Sequence, residues 1–547
     1  MKLKLYLNTI RYLKFEQIFF RIYFKFYKPR PVLKKNTIYV RNKKNFFLET
    51  SKKETCLIDN QTFEFNNVTH EIDTTNWEAN DQKKLWQYNL HYFNYLNENN
   101  SNLKNKWHEE LIISWCATCF SRKNDFGWDP YPTSLRSVNI IKWLLSGNNL
   151  DLKYIEILFC HGEYLEKRIE RHILGNHIFS NAKALIYLGL YFDGIKSKKW
   201  LSKGISILKK QIEEQVLSDG GNFELSPSYH INFLEDILDI INIITVFDIK
   251  ETREILPKLK YKAKMMLDWL DKMVYKDGSL PAFNDTSTSL SVSYNEIKKY
   301  AAKFKFIDKK TNFLPRLGLF HLKDSGYIII NYEEKKLILD VGSIGPNYLM
   351  AHSHADTLSF ELASGREKIF INSGTSCYEN TKRRNFERST KAHNTVEVRN
   401  KNSSNVWSSF RVAERALTKD LKIDYRKENI RVDCTHDGYN NLFNKNNHTR
   451  SWFVEEKKIT INDFLSGVKS DAVARFILDP GIIIEEAQIN KYKIYLRDGS
   501  HKILIIKKGI PNLVTWKISK KMGLLEETFC LEVGLVNNES SVVLYEE

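Results

Sequence analysis

Met-Ala-His-Ser-His-Ala-Asp-Thr-Leu-Ser-Phe-Glu, residues 350–361, is the stretch on which the reading of this chain turns. His352 and His354 stand two apart. Asp356, Leu358 and Phe360 continue the even register, while Thr357, Ser359 and Glu361 take the odd one. That alternation predicts a strand, in which side chains two apart share a face. Both imidazoles would then enter one cleft, one moving a proton and the other ligating a metal. An isolated His-x-His also fits a strand end whose histidines only bond locally, so its meaning depends on its surroundings.

From about residue 316 onward the pattern is strand-like: GYIIIN at 326–331, KLILDV at 336–341, KIFINS at 368–373 and HNTVEVR at 393–399. Residues 457–461 and 502–507 continue it. Upstream, residues 81–315 show helical spacing, with breaks at Gly175–Asn176, Asp219–Gly221 and Lys276–Gly278. Successive helical hairpins without a crisp repeat predict an α-barrel or toroid. A helical block followed by a β block predicts an α+β multidomain chain with its site in the cleft between the blocks. The expected division is a basic, mixed segment at 1–80, a helical domain at 81–315 and an antiparallel β domain at 316–547. The length of 547 residues calls for two to four domains.

With 42% hydrophobic and 13% aromatic residues the chain can fill packed cores and does not read as disordered. The net charge of +17 fits an acidic partner, or a coding bias toward Lys, Asn and Ile. No basic cluster interleaved with aromatics marks a nucleic-acid stripe, so no nucleic-acid partner is expected. Seven scattered cysteines do not form a disulfide framework, and Cys116-x-x-Cys119 lies in an apolar helical stretch that reads as core. In residues 1–30 charges interrupt every apolar run, so no secretory segment is read. A cytoplasmic or inner-membrane-associated protein is expected, with the periplasm as the alternative. That segment fits an amphipathic helix lying on a membrane or docked on the protein itself. Nothing in the sequence bears on oligomeric state.

Several motifs carry polar groups that a core does not need. LWQYNLHYFNYL at 85–96 offers Tyr92 among rings suited to stacking on sugars, or to a helix seam. In FGWDPYPTSLRSVNIIKW at 126–143, Trp128, Tyr131 and Arg136 offer a stacking platform and a carboxylate fork. GNHIFSNAKAL at 175–185 starts a helix with Asn176 and His177, a cap with an incidental histidine or a polar pair in a cleft. DGGNFELSPSYH at 219–230 places Tyr229 and His230 at another helix mouth, as packing or as a phenolic acid or base. RSTKAHNTVEV at 388–398 brings His393 to a strand start.

Together with LPAFNDTS, SGTSCYE and SFRVAERA, these ordered motifs span more than 300 residues and resemble the heparinase II/III-type polysaccharide lyases and their alginate-lyase relatives. The resemblance implies an N-terminal (α/α) toroid followed by a C-terminal antiparallel β-sandwich. It implies β-elimination at a uronic acid within an acidic polysaccharide. The substrate carboxylate must be neutralised, a base must take the carbon-5 proton and an acid must protonate the leaving oxygen. By resemblance Asn176 holds the carboxylate, His177 shares in neutralisation or proton removal, Tyr229 is the acid or both acid and base, and His352 is the second proton-transfer histidine. The resemblance also implies a structural zinc on His354, His393 and an acidic residue. The acidic position here is Asn372, a poorer zinc ligand. Two other readings stay open: a low-activity carbohydrate-binding protein of surface-polysaccharide biosynthesis, and a metal hydrolase built on His352, His354 and His393.

Overall fold

A computed structural model describes residues 2–33, 37–120, 126–306, 317–426, 429–440 and 446–546. The expected domain boundary at 315/316 lies outside the described residues. Two helices open the chain, α1 (Lys2–Ile10) and α2 (Phe15–Phe26). The helical block comprises α3 (Lys84–Tyr92), α4 (Asn105–Cys119), α5 (Pro130–Leu145), α6 (Leu152–Leu165), α7 (Gly175–Tyr191), α8 (Ile195–Gln215), α9 (Pro227–Phe247), α10 (Lys250–Arg253), α11 (Leu256–Met273) and α12 (Tyr294–Ala302). A further short helix, α13 (Lys382–Glu387), lies among the strands.

Helix α7 sits at the centre of the helical block, packed against α5, α6, α8 and α9. Beyond its first turn it is buried on every face, with Ser180, Asn181 and Lys183 as its polar residues among apolar ones. The segment before residue 81 is not independent of this block. A hairpin, Thr62–Phe65 with Val68–Glu71, turns on Asn66 and Asn67, both at positive φ. It sends Phe63 and Phe65 into the helical core beside Tyr95 and Trp86.

The β region holds antiparallel sheets of five, eight and four strands around a shared core. The five-stranded sheet, Leu317 to Phe370, joins the two halves of the molecule. Tyr327, Ile329, Ile338 and Ala363 point into the helical core, while Ile328, Ile330, Leu337 and Leu339 point into the β core. Both faces are buried, which is why GYIIIN and KLILDV read as continuous apolar runs instead of alternating ones. The seven cysteines are all free thiols, and Cys116 and Cys119 are buried in α4.

Candidate active site

Residues from both halves and from α1 and α2 line one cavity of about 1080 Å³. Four short segments carry Asn176 and His177, Tyr229, Asp285, and His352, and positive φ recurs near each: Leu174 and Gly175, Leu225, Asn284, and Leu358. Non-glycine residues hold such angles only where surrounding contacts over-determine the backbone. At Gly175 the requirement is also steric, because a Cβ would lie 2.2 Å from Leu349 Cδ2 and 2.9 Å from Glu224 Oε1.

The first turn of α7 presents Asn176 and His177 to the cavity. The Asn176 amide N–H donates to Glu224 Oε1 (3.2 Å). His177 Nδ1 lies 3.0 Å from Glu170 Oε1, and its ring is 4.4 Å from that of Tyr131. Asn181 Nδ2 donates to Glu170 Oε2 (3.0 Å), fixing the carboxylate. Burial disfavours charge on His177, but the Glu170 carboxylate outweighs it and raises the imidazole above its ordinary value.

Helix α9 starts with Ser226 as cap and Pro227 in its first turn. The two residues that follow Ser228 diverge. Tyr229 faces the cavity, whereas His230 stacks on Trp269 (4.3 Å) and bonds to Met266 O in the core. The Tyr229 hydroxyl lies 3.1 Å from that of Tyr378, and its ring stacks on His352 at 3.8 Å. Burial, with Tyr378 next to it, pushes the phenol far above the usual tyrosine range.

His352 and His354 are not on a strand. The strand begins at Phe360, and residues 350–359 form an irregular loop. The two imidazoles still converge, because both bond one carboxylate. Asp285 Oδ2 lies 2.9 Å from His352 Nδ1 and Asp285 Oδ1 lies 2.8 Å from His354 Nε2. Arg384 donates to both oxygens and Thr375 Oγ1 to Oδ1 (3.2 Å). Burial opposes the charge on Asp285, but Arg384 and the two histidines hold its carboxyl well below the ordinary range. His352 Nε2 is 3.6 Å from Glu224 Oε2. Burial raises Glu224 above the usual carboxylate range.

The loop is braced from the far side. Arg450 forms a buried pair with Asp463 and donates to Leu358 O (3.1 Å) and to Asn394 O. His448 also bonds Asp463 (2.7 Å), so this cluster is satisfied within the core.

The chain matches the family model described as Heparinase II/III N-terminus over residues 19–311 and the one described as Heparinase II/III-like, C-terminal over residues 315–522. The chain belongs to the heparinase II/III family. It is 27% identical over 323 residues to a heparin-sulfate lyase of Bacteroides stercoris, covering 55% of this chain and 45% of that one. It is 26% identical over 250 residues to one of Pedobacter heparinus, covering 42% and 36%. The chain thus spans less than half the length of these curated relatives. A crystal structure of heparinase III superposes with TM-score 0.67 at 18% identity, covering 86% of this chain and 78% of the other. That of heparan sulfate lyase HepC from Pedobacter heparinus gives 0.57 at 18%, covering 89% and 81%. These likenesses show the fold: a helical domain followed by an antiparallel β domain.

Within this heparinase II/III chain, Asn176, His177, Tyr229 and His352 all line the same cavity, with Tyr92 and Tyr131 on its wall. Trp128 and Arg136 do not. Trp128 is buried and donates to Cys119 O (2.8 Å). The Arg136 guanidinium is fully buried, lies 3.7 Å from the Trp115 ring and donates to His91 O and Gly127 O. It ties the loop before α5 to the end of α3 and has no exposed edge for a substrate carboxylate. On α3 the aromatic residues facing the cavity are Tyr88 and Tyr92, one helical turn apart, while Trp86 and His91 face the core. The residues missed in the sequence are Glu170, Glu224, Asp285, Tyr378 and Arg384.

The donor set does not suit the expected zinc. His354 Nδ1 and His393 Nε2 face each other at 3.0 Å, while His393 Nδ1 donates to Ser389 O (2.7 Å). The Asn372 Oδ1 accepts the Asn394 amide N–H (2.9 Å). Among the described residues no group of three His, Cys, Asp or Glu side chains is placed to hold a metal ion. Two imidazoles and an engaged neutral amide fall short of a four-ligand zinc shell. The hydrolase reading needs a metal on His352, His354 and His393, and no such group is placed to hold one among the described residues.

Proposed function

We propose that this chain cleaves a uronic-acid-containing polysaccharide by β-elimination. One observation carries this: Asn176 and His177, which we read as the carboxylate-binding pair, and Tyr229 and His352, which we read as the proton-transfer pair, line one cavity of about 1080 Å³. The Asn176 side chain and a protonated His177 neutralise the uronate carboxylate, which lets negative charge develop at carbon 5. The hydrogen bond to Asp285 calls for a proton on His352 Nδ1 and leaves Nε2 as the base. Nε2 takes the carbon-5 proton. The electron pair forms the 4,5 double bond, the carbon-4–oxygen bond breaks, and Tyr229 donates its proton to the leaving oxygen. The raised phenol suits an acid better than a base. We also read the stacked β sheets as a sandwich.

The relatives bear the name heparin-sulfate lyase, so heparan-type polymers are the first substrates to test. The test is ultraviolet absorbance of the conjugated uronate product over a panel of acidic polysaccharides. Growth of that absorbance on one polymer supports the reading. Binding of a polymer with no absorbance from any turns it toward a carbohydrate-binding role. No step proposed here passes through zinc, so chelation is expected to leave turnover unchanged, with far less than one zinc per chain by elemental analysis.

The raised His177 sets an alkaline limit. Its charged form, and the ion pair with Glu170, are present at low pH and are lost as pH rises through the folded-state pKa. Glu170→Gln removes the group that raises it. The alkaline limb of the kcat/KM profile is therefore expected to move to lower pH. A limb that stays in place would show that His177 does not act as a cation.

A further inference from the structure

The first two helices meet the rest of the protein through several polar side chains. The buried residue of α2 is Gln17, whose amide donates to Ile173 O (3.2 Å) and Tyr348 O (3.4 Å). On the same side Glu16 pairs with Arg171, and Lys14 pairs with Glu214 and lies over the Tyr348 ring. Helix α1 is held by Thr9, which accepts from Trp407 Nε1 (3.1 Å), and by Asn8, which donates to Glu414 (3.3 Å). These polar side chains therefore meet the protein.

Phe20 and Phe24 are half-buried against Arg171, Arg168 and His172, but a second apolar stripe faces outward. Phe15, Phe19, Ile22 and Phe26 are 81, 48, 55 and 86% exposed. Their spacing of four, three and four residues puts them on one stripe of α2. Leu3, Leu7 and Ile10 form the corresponding stripe of α1 and are also exposed. A stripe of large apolar side chains left exposed along both helices is arranged for a surface outside this chain.

We propose that α1 and α2 dock this protein on an anionic lipid bilayer. Eight of the first 30 residues are Lys or Arg and one, Glu16, is acidic. Arg11, Lys25, Lys28 and Arg30 are exposed beside the stripes. Basic side chains bordering aromatic and aliphatic ones complement acidic headgroups over an acyl boundary. A second copy of the chain would bring the same positive charge against itself. No helix among the described residues is long and apolar enough to cross a membrane, so the helices lie on the surface. Thr9 and Ile10 of α1, Leu13 between the helices, and Gln17 and Arg21 of α2 line the cavity. Docking therefore sets the cleft beside the lipid. This inference is independent of the chemistry proposed for the cleft.

The test is flotation of the full chain with vesicles of phosphatidylglycerol and phosphatidylethanolamine, against vesicles of phosphatidylcholine alone. The chain is expected to float with the acidic vesicles and to be released by salt. Phe15→Ser/Phe19→Ser/Phe26→Ser is expected to lower the bound fraction about tenfold, with an unchanged circular dichroism spectrum. Lys25→Glu/Lys28→Glu, which leaves the apolar stripe in place, is expected to weaken binding to acidic vesicles. Failure to float with the acidic vesicles overturns the proposal. So does equal flotation with phosphatidylcholine, or full binding by both variants. Concentration-dependent dimers that the Phe variant abolishes, without flotation, would assign the stripe to a second copy instead.

Discussion

Tyr229→Phe is expected to lower turnover by about 10²–10⁴-fold, the usual worth of a positioned proton donor, while the protein stays folded. The substitution removes one oxygen and keeps the ring that stacks on His352 at 3.8 Å. The partner left behind, the Tyr378 hydroxyl, borders the cavity, where water can replace the lost bond. In the proposed mechanism substrate affinity rests on Asn176, His177 and the aromatic wall, so the loss is expected to fall on kcat with little change in KM. Product absorbance under saturating polymer, with a thermal melt of each variant, separates the two effects. Wild-type turnover in the variant would sink the assignment of Tyr229 as the acid. A larger loss in Tyr378→Phe than in Tyr229→Phe would transfer the role to the second phenol, which lies 3.1 Å away.

The order of helices and strands was legible because the periodicity changes near residue 316, and tertiary packing preserves that change. The motif residues at the mouths of α7 and α9 were legible because helix N-termini have local signatures, a glycine opening α7 and a serine cap followed by proline at the start of α9. What failed has a common cause. Alternation in residues 350–361 imitates a strand, yet the backbone there is a loop pinned by Asp285 and Arg450. Trp128 and Arg136 have polar tips suited to a cleft, but those tips are satisfied by carbonyl oxygens inside the protein. Which partner a polar tip finds is decided by chain segments far away in sequence. Asp285 lies 67 residues before His352 and 99 before Arg384, so no local pattern could mark it. LPAFNDTS drew notice as a motif, and its role emerges only once three loops meet.

Asp285→Asn is expected to damage both stability and chemistry, by separable routes. The side chain is fully buried with its partner Arg384, and the substitution leaves that guanidinium without a counter-charge. Breaking a buried pair in this way typically costs about 3–5 kcal/mol. The chemical route concerns protons. A carboxylate accepts from His352 and His354 together, whereas an amide has one acceptor oxygen and one donor nitrogen. One of the two imidazoles must therefore change tautomer or lose its bond. If it is His352, the proton moves to Nε2, the atom proposed to act as base. A loss of about 10³-fold or more in kcat/KM is then expected even in the folded fraction. The pH dependence distinguishes the routes. Because the folded carboxyl is held well below its unfolded value of about 3.9, its stabilisation is full above that value and fades as pH falls through the folded-state pKa. The stability gap between wild type and variant should be widest at neutral pH and close in strong acid, while the tautomer defect persists wherever both proteins are folded. Denaturant titrations at neutral and acidic pH, paired with turnover of the folded variant, check both. A variant as stable and as active as wild type would remove Asp285 from the centre of the site, and with it the argument that one carboxylate sets His352 Nε2 free to take a proton.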